Sequence, residues 1–184
     1  SLYHEMTAQP GRLELQDELQ ILEGVCRALS RQIQDTRGSG GAEFLTRLAQ
    51  PIGSRLVLLV ADANASPRKI IPEIDRLTLI VQYLTVPATT PNAHPMIDLV
   101  QSTWSLLDAA TNRFPGDNML AEKVCRLHKH ALRTCGAAAY APMLEPLIQQ
   151  LVRSFERSHQ APFLYAASIC ITEYGQDPAR ATLL

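Results

Sequence analysis

A chain of 184 residues and 20.3 kDa, with 17 Lys and Arg against 18 Asp and Glu and 46% hydrophobic residues, has the composition of a folded, near-neutral polypeptide. Disorder and collagen do not fit it, and a net charge of −1 supplies no general electrostatic footprint for a nucleic-acid backbone. The longest uninterrupted apolar stretch, Leu56 to Ala61, is far too short to cross a bilayer, so neither direct nucleic-acid binding nor membrane insertion is expected. Leu (26) and Ala (22) are strong helix formers, and Gly (9) and Pro (12) fall between segments as punctuation, which predicts an all-α chain.

The first segment places Leu15, Leu19, Leu22, Cys26, Leu29 and Ile33 at steps of three and four, one stripe of a helix from about Leu13 to Gln34. Gly38-Ser39-Gly40-Gly41 breaks it and reads as a flexible linker near 36–42. Phe44, Leu45, Leu48 and Ile52 then suggest a short helix interrupted near Pro51-Ile52-Gly53, followed by Leu56 to Ala63 as a buried helix. Ser66 before Pro67 is a good helix start, with a hydroxyl able to accept a first-turn amide and a proline whose missing N–H loses nothing there. The following helix turns Ile70, Ile74, Leu77, Val81 and Leu84 inward, and the proline- and threonine-rich stretch Thr85 to Pro95 forms a loop.

Pro95 opens a helix with Ile97, Val100, Trp104, Leu107 and Ala110 or Thr111 on one face, stopped by Pro115-Gly116. Asp117 caps a second helix that buries Leu120, Val124, Leu127, Ala131 and Cys135 and ends at Gly136. The pattern restarts at Pro142 with Leu144, Leu147 or Ile148, Leu151 and Phe155 inward, and a partner helix buries Leu164, Ala167, Ile171 and Tyr174 before Gly175. Two helices per step of this size is the period of HEAT or armadillo arrays, where each hairpin buries its apolar face only by stacking on neighbours. An α-solenoid of roughly four repeats is expected, as a single segment. The start at Ser1 and the continuing pattern at Leu183-Leu184 read as a piece of something longer.

Few residue clusters suggest chemistry. Cys26, Cys125, Cys135 and Cys170 form no CxxC pair and read as buried free thiols of a reducing, cytosolic or nuclear compartment. Cys125, His128, His130 and Cys135 cannot converge on a metal from one helix, and a packed thiol with exposed imidazoles is the expected arrangement. A Cys125/His128 nucleophile pair lacks an orienting third group, and Gly38 to Gly41 lacks the Lys-Ser/Thr of a phosphate loop, so no catalytic residue, cofactor or metal is expected. Trp104 lies on an apolar stripe and reads as core. The most charged face is the row Arg126, Lys129 and Arg133, with His130 alongside, whose steps of three and four align three cations. Such a row suits an acidic or phosphorylated protein partner, and a solvated face with an intrahelical Glu122–Arg126 pair is the plainer alternative.

Several stretches carry a family resemblance in order along the chain. Pro72 to Ile80, His94-Pro95 with Trp104, Lys123 to Gly136, and Phe163 to Ile169 with Glu173-Tyr174-Gly175 resemble the middle of transportin-SR-like nuclear import receptors of the importin-β superfamily. The resemblance implies a HEAT solenoid that shuttles between cytoplasm and nucleus, importing arginine/serine-rich protein cargo in a Ran-dependent cycle and meeting Ran GTPase and nucleoporins through the full-length receptor. In such arrays the second helix of each pair lines the concave, cargo-facing side, which makes Arg126, Lys129 and Arg133 the candidate cargo-binding residues. The arginine-rich helix implied for gripping phosphorylated cargo has no counterpart in this sequence. A HEAT scaffold unrelated to transport is the alternative function.

Overall fold

The computed structural model describes residues 13–90 and 93–176, and every regular element among them is an α-helix. These are α1 (Leu15–Asp35), α2 (Gly41–Ala61), α3 (Pro67–Tyr83), α4 (Pro95–Arg113), α5 (Asn118–Ser158) and α6 (Ala161–Tyr174). The long α5 breaks at Gly136, whose φ of 76° and ψ of 159° lie where only glycine is at ease, so it acts as two arms. One row runs α1, α3, first arm of α5; Lys123 pairs with Asp75 at 2.8 Å and Thr134 Oγ1 donates to the Val81 carbonyl at 2.9 Å across its second step. The other row runs α2, α4, second arm of α5, where Gln101 reaches Met143, and α6 packs on α5. The result is an all-α solenoid of stacked helix pairs.

The core follows the apolar stripes. Leu22, Cys26 and Ile33 of α1 are buried, and α2 buries Leu45, Leu48, Ile52 and Leu56. The α2 stripe corrects the expected interruption: the helix runs unbroken through Pro51, because four buried anchors on one face outweigh one lost backbone donor. It also corrects the buried helix expected from Leu56 to Ala63, since Val57 and Leu58 are exposed and only Leu56 of that run is fully enclosed. In α3 both flanks are covered, with Ile70, Ile74, Leu77, Ile80 and Val81 buried, because this helix lies between neighbours on three sides. Ser66 precedes α3 in extended conformation, yet its hydroxyl makes no capping bond, contrary to expectation.

The second half departs from the sequence reading by small rotations. Met96 and Thr103, rather than Ile97 and Trp104, join the expected Val100, Leu107 and Ala110 in the buried face of α4, and Trp104 is half-buried against His128. Asp117 does cap α5, its carboxylate accepting from the Leu120 amide at 2.8 Å. The second arm resumes directly after Gly136, earlier than Pro142, because the buried Ala139 and Tyr140 hold that extra turn in place. In α6 the buried stripe is Phe163, Ala166, Cys170 and Tyr174, so Leu164 and Ile171 are exposed rather than inward. That stripe has helical spacing as regular as the expected one, and only the neighbouring α5 decides between them.

Side chains tie successive hairpins through backbone carbonyls that helix ends leave open. Ser30 Oγ donates to the Tyr83 carbonyl at 2.9 Å and accepts from the Thr85 amide at 2.8 Å. Arg113 donates to the carbonyls of Asp62 and Ala65 at 2.7 and 3.2 Å, which clamps the α2–α3 turn onto the end of α4. Tyr174 Oη reaches the Ala137 carbonyl at 3.0 Å, beside the break in α5.

Candidate functional site

The first arm of α5 presents its buried stripe to α3 and α4, which forces its charged positions outward toward α6. Arg126 and Arg133 are exposed and Lys129 is half-buried between them, so the structure brings the three expected residues together as one row. Each end is shaped by a carboxylate. Glu122 stands one turn before Arg126, and Arg133 meets Glu173 of α6 at 3.7 Å, with both side chains well exposed. A pair at that separation and exposure contributes little to folding and leaves the guanidinium available. Arg126 and Lys129 make no ion pair among the described residues.

His130 reports the same field. Its pKa is lowered to about 4, first by burial and then by the positive charges of Lys129, Arg126 and Arg133, so at neutral pH the ring is uncharged and adds nothing to the row. Lys129 Nζ lies 5.7 Å from the ring centroid of Tyr165 on α6, within cation–π reach. Tyr165 escaped the sequence reading because the wrong stripe was assigned to α6. The alternative stripe through Phe163 and Ala166 would have put Tyr165 on the open face.

The cysteine and histidine cluster takes a different form from the one expected. His128 is buried, not exposed: its Nδ1 lies 3.4 Å from Tyr140 Oη, its ring packs on Trp104 at 4.7 Å between centroids, and Nε2 has no hydrogen-bond partner. Burial holds its pKa down to about 4. Burial raises the pKa of Cys125 to about 12, which keeps it a protonated thiol, a state opposite to that of an activated nucleophile. Cys125 and Cys170 are buried, and Cys135 is half-buried. Among the described residues no three His, Cys, Asp or Glu side chains gather in a way that could hold a metal ion.

Residues 94–184, which begin at the cap of α4 and include the basic row, match the family described as the Transportin-3/Importin-13 fourth TPR domain. Two curated proteins are similar over a longer span. Transportin MOS14 of Arabidopsis thaliana is 28% identical over 120 residues, covering 64% of this chain and 12% of that protein. An uncharacterized protein of Schizosaccharomyces pombe is 23% identical over 123 residues, covering 64% of this chain and 13% of that protein. The chain thus spans about an eighth of the length of these relatives. Helix pairs here begin at Gly41, Pro95 and after Gly136, steps longer than the ~34 residues of a TPR unit and closer to HEAT spacing. The second half of the chain is thus similar to the Transportin-3/Importin-13 domain, and about two thirds of the chain is similar to Transportin MOS14.

Proposed function

We propose that this chain is a cargo-facing segment of a nuclear transport receptor, one that imports arginine/serine-rich proteins in a Ran-dependent cycle and shuttles between cytoplasm and nucleus. The observation that carries the reading is that the helices matching the Transportin-3/Importin-13 domain are the same helices that align Arg126, Lys129 and Arg133 on one open face. A phosphorylated arginine/serine segment offers anionic oxygens that such a row would receive through charge-assisted hydrogen bonds. Ran and nucleoporins would engage the longer receptor.

The test is import by the full-length receptor carrying Arg126→Glu, Lys129→Glu and Arg133→Glu together. Cargo affinity should fall by about tenfold or more, the loss should shrink as salt rises, and cargo release by Ran-GTP should persist. The plainer reading, a scaffold with a solvated face, is favoured by the exposed Arg133–Glu173 pair. Unchanged cargo affinity at both low and high salt would establish it.

A further inference from the structure

Between the first arm of α5 and the start of α6 lies an open cleft of about 330 Å³. Its two walls differ in chemistry. Arg126 and Lys129 stand on α5 with Glu122 one turn before them, whereas Pro162 and Tyr165 form the α6 wall. Cys125 closes the base and is 3% exposed, so the floor is a protonated, apolar thiol. Tyr165 is 58% exposed, and its ring is contacted by the half-buried Lys129 ammonium.

We propose that this cleft is a two-part site for an acidic protein segment: Arg126 and Lys129 receive a carboxylate, and the Tyr165–Pro162 wall receives an aliphatic side chain next to it. The proposal rests on the reading above that this face meets cargo, and it adds an apolar anchor that a plain basic row lacks. Charge complementarity selects the occupant. Arg126 and Lys129, which make no ion pair among the described residues, are the two cations of the row that line the cleft, whereas Arg133 lies beyond it in a loose, exposed pair with Glu173 and His130 is neutral. Lys129 hovers over an aromatic face, a weak contact that a carboxylate would replace with a stronger charge-assisted one. The exposed half of the Tyr165 ring is then free to cover an aliphatic group, whose burial against tyrosine, proline and thiol is favourable. Glu122 sets polarity: it repels acid at the α5 N-terminal end, so the carboxylate sits toward Lys129.

The experiment is fluorescence anisotropy of the 184-residue chain with a short labelled peptide holding paired glutamates beside a leucine. Saturable binding is expected. Tyr165→Ala should weaken it about fivefold, and a peptide with serine replacing the leucine should bind weakly and be indifferent to that substitution. Arg126→Gln with Lys129→Gln should weaken binding about tenfold and flatten its salt dependence, whereas Glu122→Gln should tighten it about twofold. Circular dichroism of each variant guards against unfolding, and these positions outside the core should leave it unchanged. Unaltered affinity in Tyr165→Ala, equal binding of the serine peptide, or equal binding of a single-stranded oligonucleotide would each overturn the proposal. Normal peptide binding with intact cargo import by the charge-reversed receptor would leave the cleft standing and remove the reading that this row meets the imported cargo. The reverse result would remove the cleft alone.

Discussion

At His128 two demands conflict, because an imidazole that fits between Trp104 and Tyr140 must stay neutral to stay buried. It is 2% exposed, its folded pKa is about 4 against 6.5 for the free group, and burial alone is the cause. Between those values the unfolded chain binds a proton that the folded chain does not. Stability therefore falls as pH drops from about 6.5 toward 4, by about 3 kcal/mol from this one group, and is insensitive to it above that window. His94 and His130 shift in the same direction, His94 by burial and His130 by burial and then by Lys129, Arg126 and Arg133, so they add to the loss at low pH. His94 adds a specific loss, since its Nδ1 accepts from the Met96 amide at 3.1 Å and protonation removes that cap. Melting of His128→Gln should therefore depend on pH less steeply than melting of the parent below about pH 6.5. Parallel slopes would show that other groups carry the acid sensitivity. Nothing in the run from Lys123 to Gly136 marks His128 as buried, because its neighbours in sequence include exposed cations and the packing of α4 and of the second arm of α5 encloses it.

Within single elements, local pattern and tertiary packing disagree in informative places. Gly136 was legible as a stop, and it is one, but the chain turns there and continues as helix rather than entering a loop. A Cβ at this position would meet nothing within 4 Å, so the cost of Gly136→Ala is the backbone strain alone, about 1–3 kcal/mol. Urea denaturation should show that loss, and a neutral result would mean the break can relax to ordinary helix angles. The α6 stripe was misassigned by one residue because Phe163, Leu164, Ala166 and Ala167 allow two apolar faces, and periodicity cannot rank them. That one residue moves Tyr165 from an apparent flank to the wall of the cleft. The basic row, by contrast, was fully legible, since charged side chains on an amphipathic helix have one face open to them.

Over the whole molecule, apolar stacking sets the order of helices and a few buried charges join the rows. Glu73 is 7% exposed and binds Arg55 of α2 at 3.0 Å and Arg76 of its own helix at 2.8 Å, while Arg76 also reaches Glu18 of α1. Removing Glu73 takes one carboxylate from Arg76, which keeps Glu18, and releases the 43% exposed Arg55 toward solvent. Glu73→Ala is expected to destabilise by about 2 kcal/mol, the scale of losing hydrogen bonds to charged groups, measured by thermal or urea unfolding. A change below about 0.5 kcal/mol would place this network with exposed pairs that contribute little.

The sequence by itself determined the class of fold, because leucine and alanine at steps of three and four, interrupted by glycine and proline, leave only stacked helix pairs as a way to bury one face per helix. It also determined the row of three cations, a property of one helix. What only the tertiary structure decided was anything that needs two elements: the unbroken α2, the buried His128, and the pairing of Lys129 with Tyr165 across α5 and α6. The physical reason is that periodicity gives the phase of a helix to within a residue or so, whereas a contact between helices depends on both phases at once, and an error of one residue turns a side chain by about 100°.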